Sequence, residues 1–226
     1  METIKVINSE KRKGLLKKAL ILSIITVVYN VAEGVISTIF GYSDETIALF
    51  GFGLDSFVEV ISGLGIAHMV MRMAREAVTT QDRFEKLALR ITGVAFYLLT
   101  AGLVAGAALT VYQGNKPETT LWGIIISAVS IVTMWFLYRI KLSVGEALDS
   151  APIVADARCT KTCFYLSFVL LGSSLLYEFF GLAYVDVIGA LGIAWFAFSE
   201  GREAMEKAKT GNLTCSCSDS CCETKG

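Results

Sequence analysis

Two residue pairs in this chain have the types and spacing of a cation site. Asp55 and Glu59 stand four residues apart, and so do Cys159 and Cys163. On a helix an i, i+4 pair shares one face, about 6 Å apart along the axis. Two carboxylates so placed repel unless a cation or a proton lies between them. Two thiols at that spacing form a disulfide only with strain. Together the pairs offer two oxygen and two sulfur donors, a set that suits a tetrahedral divalent metal, zinc first and cadmium next. The competing readings are a helix–helix polar contact with one carboxyl protonated, and two small buried apolar thiols.

Further ionisable residues fall inside apolar stretches. An acid there is costly, faces the bundle interior and marks function. Glu33 is a candidate proton relay or accessory metal ligand. Asp156, one turn before Cys159, is a candidate ligand on the cytoplasmic way in or a partner of Lys161. Glu178 and Asp186 read as solvated groups at the outer boundary, and the single histidine, His68, as a polar group at the interface. Near the C-terminus, Cys215, Cys217, Cys221 and Cys222 crowd into eight residues. Thiols on a cytoplasmic tail stay reduced, and short Cys-rich tracts commonly bind metal. This tail is a candidate soft-metal collector, the alternative being incidental thiols on an unstructured end.

The elements that must position these residues follow from composition. Of the 226 residues, 54% are hydrophobic and 18% charged, against roughly 25% charged in an ordinary soluble domain. One soluble core could not hide so much apolar surface. The apolar residues gather in six blocks, 19–40, 46–71, 87–112, 121–138, 152–177 and 184–203, each near the roughly 20 residues that cross a bilayer as helix. No long stretch alternates with period two, and helices satisfy their own backbone groups in lipid. The expected fold is therefore an all-α membrane protein of six transmembrane helices.

Charge sidedness supports the count. Of the 20 lysines and arginines, all but Lys116 fall at one set of ends: before the first block, around the second and fourth connections, and after the sixth block. The positive-inside rule makes those ends, and both termini, cytoplasmic in an inner or plasma membrane. The first block is too long for a signal core and no small-x-small cleavage site follows it. The expected organisation is a basic N-terminus over 1–15, a transporter bundle over 16–208 and a flexible Cys-rich tail over 209–226. The connections leave no room for a folded soluble domain.

The stretch Leu54-Asp55-Ser56-Phe57-Val58-Glu59, preceded by Gly41-Tyr42-Ser43, resembles the second helix of the cation diffusion facilitator (cation efflux) family, which carries an Asp-x-x-x-Asp pair behind a Gly-x-Ser start. The stretch Ala155-Asp156-Ala157-Arg158-Cys159-Thr160-Lys161-Thr162-Cys163 resembles the start of the family's fifth helix, usually Ala-Asp-x-x-His-x-x-x-Asp. Glu200-Gly201-Arg202-Glu203-Ala204 is similar to the end of its sixth. The likeness covers roughly residues 10–208. It implies a cation-efflux-type bundle whose metal ligands are Asp55, Glu59, Cys159 and Cys163, working as a homodimer.

Members of that family are secondary transporters, not enzymes, and exchange a divalent metal for protons. Here two cysteines replace His and Asp, which favours zinc, cadmium or mercury over manganese and magnesium. The family's C-terminal soluble domain is missing from the pattern, so a dimer is expected to form through membrane helices. The implied partners are the lipid bilayer, metal ions and protons, with no nucleic acid and no permanently bound cofactor. Other readings of the same ligands are an importer or channel, a thiol–disulfide oxidoreductase using Cys159 and Cys163, and a sensor or scaffold that moves nothing.

Overall fold

Long apolar runs without internal proline fold as long helices, and proline and glycine mark their ends. The computed structural model describes residues 9–44, 46–75, 83–114, 117, 119–181 and 184–210. Cys215, Cys217, Cys221 and Cys222 lie outside the described residues. Among these residues the chain forms six helices and no strand: α1 (Ser9–Ser43), α2 (Ile47–Arg75), α3 (Arg83–Gln113), α4 (Leu121–Ala147), α5 (Ala151–Phe180) and α6 (Tyr184–Thr210). Pro152 sits in the first turn of α5, where its missing N–H costs no helical bond. Gly181 ends the helix in the left-handed region, at φ 61°, and its N–H bonds the Tyr177 carbonyl at 2.8 Å.

Several helices outrun the apolar blocks. α1 starts ten residues before the first block, and α4 continues nine residues past Tyr138. Helical hydrogen bonds do not stop where lipid does. In α1 the extension buries Leu16 beside Leu22, Val70, Met134 and Ile153.

The helices close a ring in the order α1, α2, α3, α6, α5, α4, with α2 also reaching across to α5 and α6. α2 thus touches four neighbours and forms the hub. Small residues set the closest approaches. A Cβ on Gly34 of α1 would stand 3.1 Å from the Gly53 carbonyl of α2, and one on Gly201 of α6 would stand 3.2 Å from the Gly93 carbonyl of α3. One apolar cluster fills the half around Leu49, Phe52, Leu103, Leu170 and Ile193, and a second fills the half around Leu16, Val70 and Met134.

Five helices, α1 to α5, are long and apolar enough to cross a membrane. α6 is as long as α4 but carries Asp186, Glu200, Arg202 and Glu203 within its run. Its outer face is nonetheless apolar, with Tyr184, Ile188, Leu191, Trp195 and Phe198 all exposed. The chain is an all-α, multi-pass membrane bundle.

Of the two acids assigned to the solvated boundary, Asp186 is buried instead, Glu178 is exposed, and both bond the start of a neighbouring helix. Asp186 is buried and accepts hydrogen bonds from the first backbone amides of α2, Ile47 at 2.9 Å and Ala48 at 3.3 Å. Glu178 accepts from the Thr120 amide at 3.2 Å and hydroxyl at 3.1 Å, at the start of α4. Helix N-termini carry unpaired N–H groups and partial positive charge, so a neighbouring carboxylate is stabilised there. Hydropathy alone could not reveal that these two helix starts would face those acids.

Candidate metal site

α2 and α5 meet through the carboxylate of Glu59 and the thiol of Cys163. The thiol donates to Glu59 Oε1. The other carboxylate oxygen, Oε2, accepts from Asn30 Nδ2 of α1 at 2.8 Å. Glu59 is thereby held between three helices. The i, i+4 spacing on each long helix is what aims Asp55 with Glu59, and Cys159 with Cys163, toward the same side.

These groups sit on a cavity of about 110 Å³. Its wall includes Asn30, Glu59, Cys159, Cys163, Asp156 and Glu200, and it extends to Lys207 near the end of α6. Asp55 is not on this wall. It lies one turn deeper along α2, is 3% exposed, and its Oδ1 has no hydrogen-bond partner. Cys159 is half-buried, and neither it nor Cys163 is in a disulfide. Among the described residues, no three Cys, His, Asp or Glu side chains gather closely enough to hold an ion as they stand. Glu59 and Cys163 are therefore the pair in contact, and Cys159 and Asp55 lie a turn away on either helix.

Glu33 is buried off this wall, in a network of hydroxyls. Tyr29 Oη donates to its Oε1 at 2.9 Å and Ser56 Oγ to its Oε2 at 3.0 Å. Ser130 of α4 lies nearby and accepts from Ser167 of α5 at 2.9 Å.

Asp156 does not pair with Lys161. It pairs with Lys141 of α4, whose Nζ lies 3.0 Å from Asp156 Oδ2 and 3.0 Å from Thr160 Oγ1. Lys161 instead stands over the Tyr165 ring at 5.5 Å. Lys161 follows Asp156 by five residues and so points away from it, whereas Lys141 reaches it from the adjacent helix. Lys141, counted in the charge pattern among the basic residues of the cytoplasmic ends, is buried. His68 is half-buried on α2, off the cavity wall.

Several wall residues were not among the candidates read from the sequence, Asn30, Glu200 and Thr92 of α3 among them. Asn30 was passed over because it carries no charge, although it precedes Glu33 by three residues and shares its helix face. Glu200 was read only as part of a helix ending, yet it lines the cavity with its charge near those of Asp55 and Glu59.

The chain is similar to an uncharacterized transporter of Methanocaldococcus jannaschii. The two are 30% identical over 190 residues, which cover 80% of this chain and 66% of that protein's length. No family model matches the chain.

Proposed function

We propose that this protein is a proton-coupled antiporter that exports a thiophilic divalent metal, zinc foremost with cadmium or mercury as alternatives. In this reading it has six spans, both termini are cytoplasmic, and the protein is a homodimer of the cation diffusion facilitator type. The carrying observation is the Glu59–Cys163 contact, which joins the acidic pair of α2 to the thiol pair of α5 inside a cavity. The likeness to a protein described as a transporter supports the general class.

Metal ligands must be deprotonated, so binding a metal expels protons and binding protons expels the metal. A thiol that donates to a carboxylate is the protonated half of such an exchange. When a divalent cation enters between Glu59 and Cys163, the thiol proton leaves and both groups turn to the metal. Asp55 and Cys159, each one turn away, complete four ligands by side-chain rotation. The cavity runs from this pair toward the lysine-rich end of α6, so metal loads from that side and release needs the bundle to open beyond Asp55. The donor set is half sulfur and selects borderline and soft cations.

The test is flux in vesicles. Purified protein is reconstituted with a pH gradient, and zinc, cadmium and mercury movement is followed for the wild type, Asp55→Ala and Cys159→Ser/Cys163→Ser. Gradient-dependent flux lost in both variants is expected. Flux that survives in both removes the site, and flux indifferent to the gradient replaces the antiporter with a channel.

A further inference from the structure

Asn30 combines three properties. It is 1% exposed, it lines the cavity, and it bonds directly to a candidate ligand. Its amide nitrogen donates to Glu59 Oε2. The amide oxygen, Oδ1, is buried with no hydrogen-bond partner. A buried carbonyl without a partner is costly, and such groups are rare unless they have a task. Leucine or alanine would fill this position in an apolar helix without that cost.

We propose that Asn30 of α1 is a further ligand of the transported metal, its Oδ1 coordinating the ion next to Glu59 while its Nδ2 holds that carboxylate in position. The inference rests on Glu59 and Cys163 being ligands. It moves the site from two helices to three. Amide carbonyls are oxygen ligands for divalent cations, and this one adds a donor without adding charge. It therefore strengthens binding without changing how many protons the metal must displace. It also ties α1 to ion occupancy. A cation bridging α1, α2 and α5 adds a link among three helices that already meet at Glu59.

The experiment uses the full chain in detergent, with Cys215, Cys217, Cys221 and Cys222 replaced by serine so that the tail binds none of the probe, which is cadmium. Affinity is measured by equilibrium titration, the sulfur-to-cadmium charge-transfer band reports the thiolates, and X-ray absorption at the cadmium edge counts the oxygen neighbours. Asn30→Ala is expected to weaken binding roughly 10- to 100-fold, to leave the charge-transfer band per bound ion unchanged, and to remove one oxygen from the shell. Asn30→Asp, nearly the same shape with an oxygen retained, is expected to recover the lost neighbour, and serves also if the alanine variant does not fold. Glu59→Gln and Cys163→Ser are the controls for the site itself. If they weaken binding sharply while Asn30→Ala binds as the wild type does, the role of Asn30 is overturned and the site stands. An oxygen shell unchanged in Asn30→Ala overturns it equally, leaving Asn30 as a positioning residue. If Glu59→Gln and Cys163→Ser bind cadmium normally, the site fails and the ligand role of Asn30 fails with it.

Discussion

Lys141 of α4 and Asp156 of α5 form an ion pair buried in the wall of the cavity, with Nζ 3.0 Å from Oδ2 and the side chains 2% and 11% exposed. Thr160 accepts a second hydrogen bond from the lysine, so the charge is well partnered. Removing one member strands the other in a medium that solvates it poorly, at a cost of about 3–5 kcal/mol. Lys141→Met is therefore expected to lower the thermal unfolding midpoint in detergent by several degrees. The double variant Lys141→Met/Asp156→Leu, which removes both charges, is expected to recover most of that loss. A double variant no more stable than the single one would show that the pair contributes only through packing.

The same pair shows where the sequence was legible and where it was not. Blocks of apolar residues made the helices plain, because a long run without proline has few ways to satisfy its backbone in lipid. Spacing of four placed Asp55 with Glu59 and Cys159 with Cys163, because helical periodicity is a local property. Which helices are neighbours is not local. Lys141 looked like one of many cytoplasmic lysines until α4 packed on α5, and Asp186 looked solvated until α6 brought it to the first turn of α2. Asn30 escaped notice because intramembrane charge draws attention and an amide does not, although both pay a desolvation cost.

The close approach of α1 and α2 makes a sharp prediction about glycine. A Cβ on Gly53 would stand 2.6 Å from Thr38 Oγ1 and 2.7 Å from the Thr38 backbone nitrogen. Backbone cannot yield as a side chain can, so Gly53→Ala is expected to destabilise by about 1–3 kcal/mol through overpacking. Gly102 and Gly172 have nothing within 4 Å of such an atom. Alanine at either is expected to be neutral or to stabilise, by up to about 1 kcal/mol. Unfolding midpoints of the three variants, measured side by side, check the order.

Asp186 tests whether a carboxylate from one helix secures the start of another. Asp186→Ala leaves the Ile47 and Ala48 amides without their acceptor. Loss of a cap of this kind costs about 0.5–2 kcal/mol. Hydrogen exchange is expected to rise at the first turn of α2 and to stay unchanged at the first turn of α4, where Glu178 remains. Uniform acceleration across both helices would mean that the residue supports the whole bundle instead.

The proposed exchange of protons for metal fixes the sign of the pH dependence. In that exchange the metal-bound form needs Glu59 and the Cys163 thiol deprotonated, and acid restores the proton that the thiol donates to the carboxylate. Affinity for cadmium is therefore expected to fall as pH falls, by about tenfold per unit for each proton displaced. In Cys163→Ser the hydroxyl does not ionise in the working range, so one proton fewer is exchanged, and the slope of log affinity against pH should drop by one. Proton release on binding, followed with a pH-sensitive dye in weakly buffered solution, gives the same count independently. A slope that is the same in the wild type and in Cys163→Ser would place the displaced proton on another group.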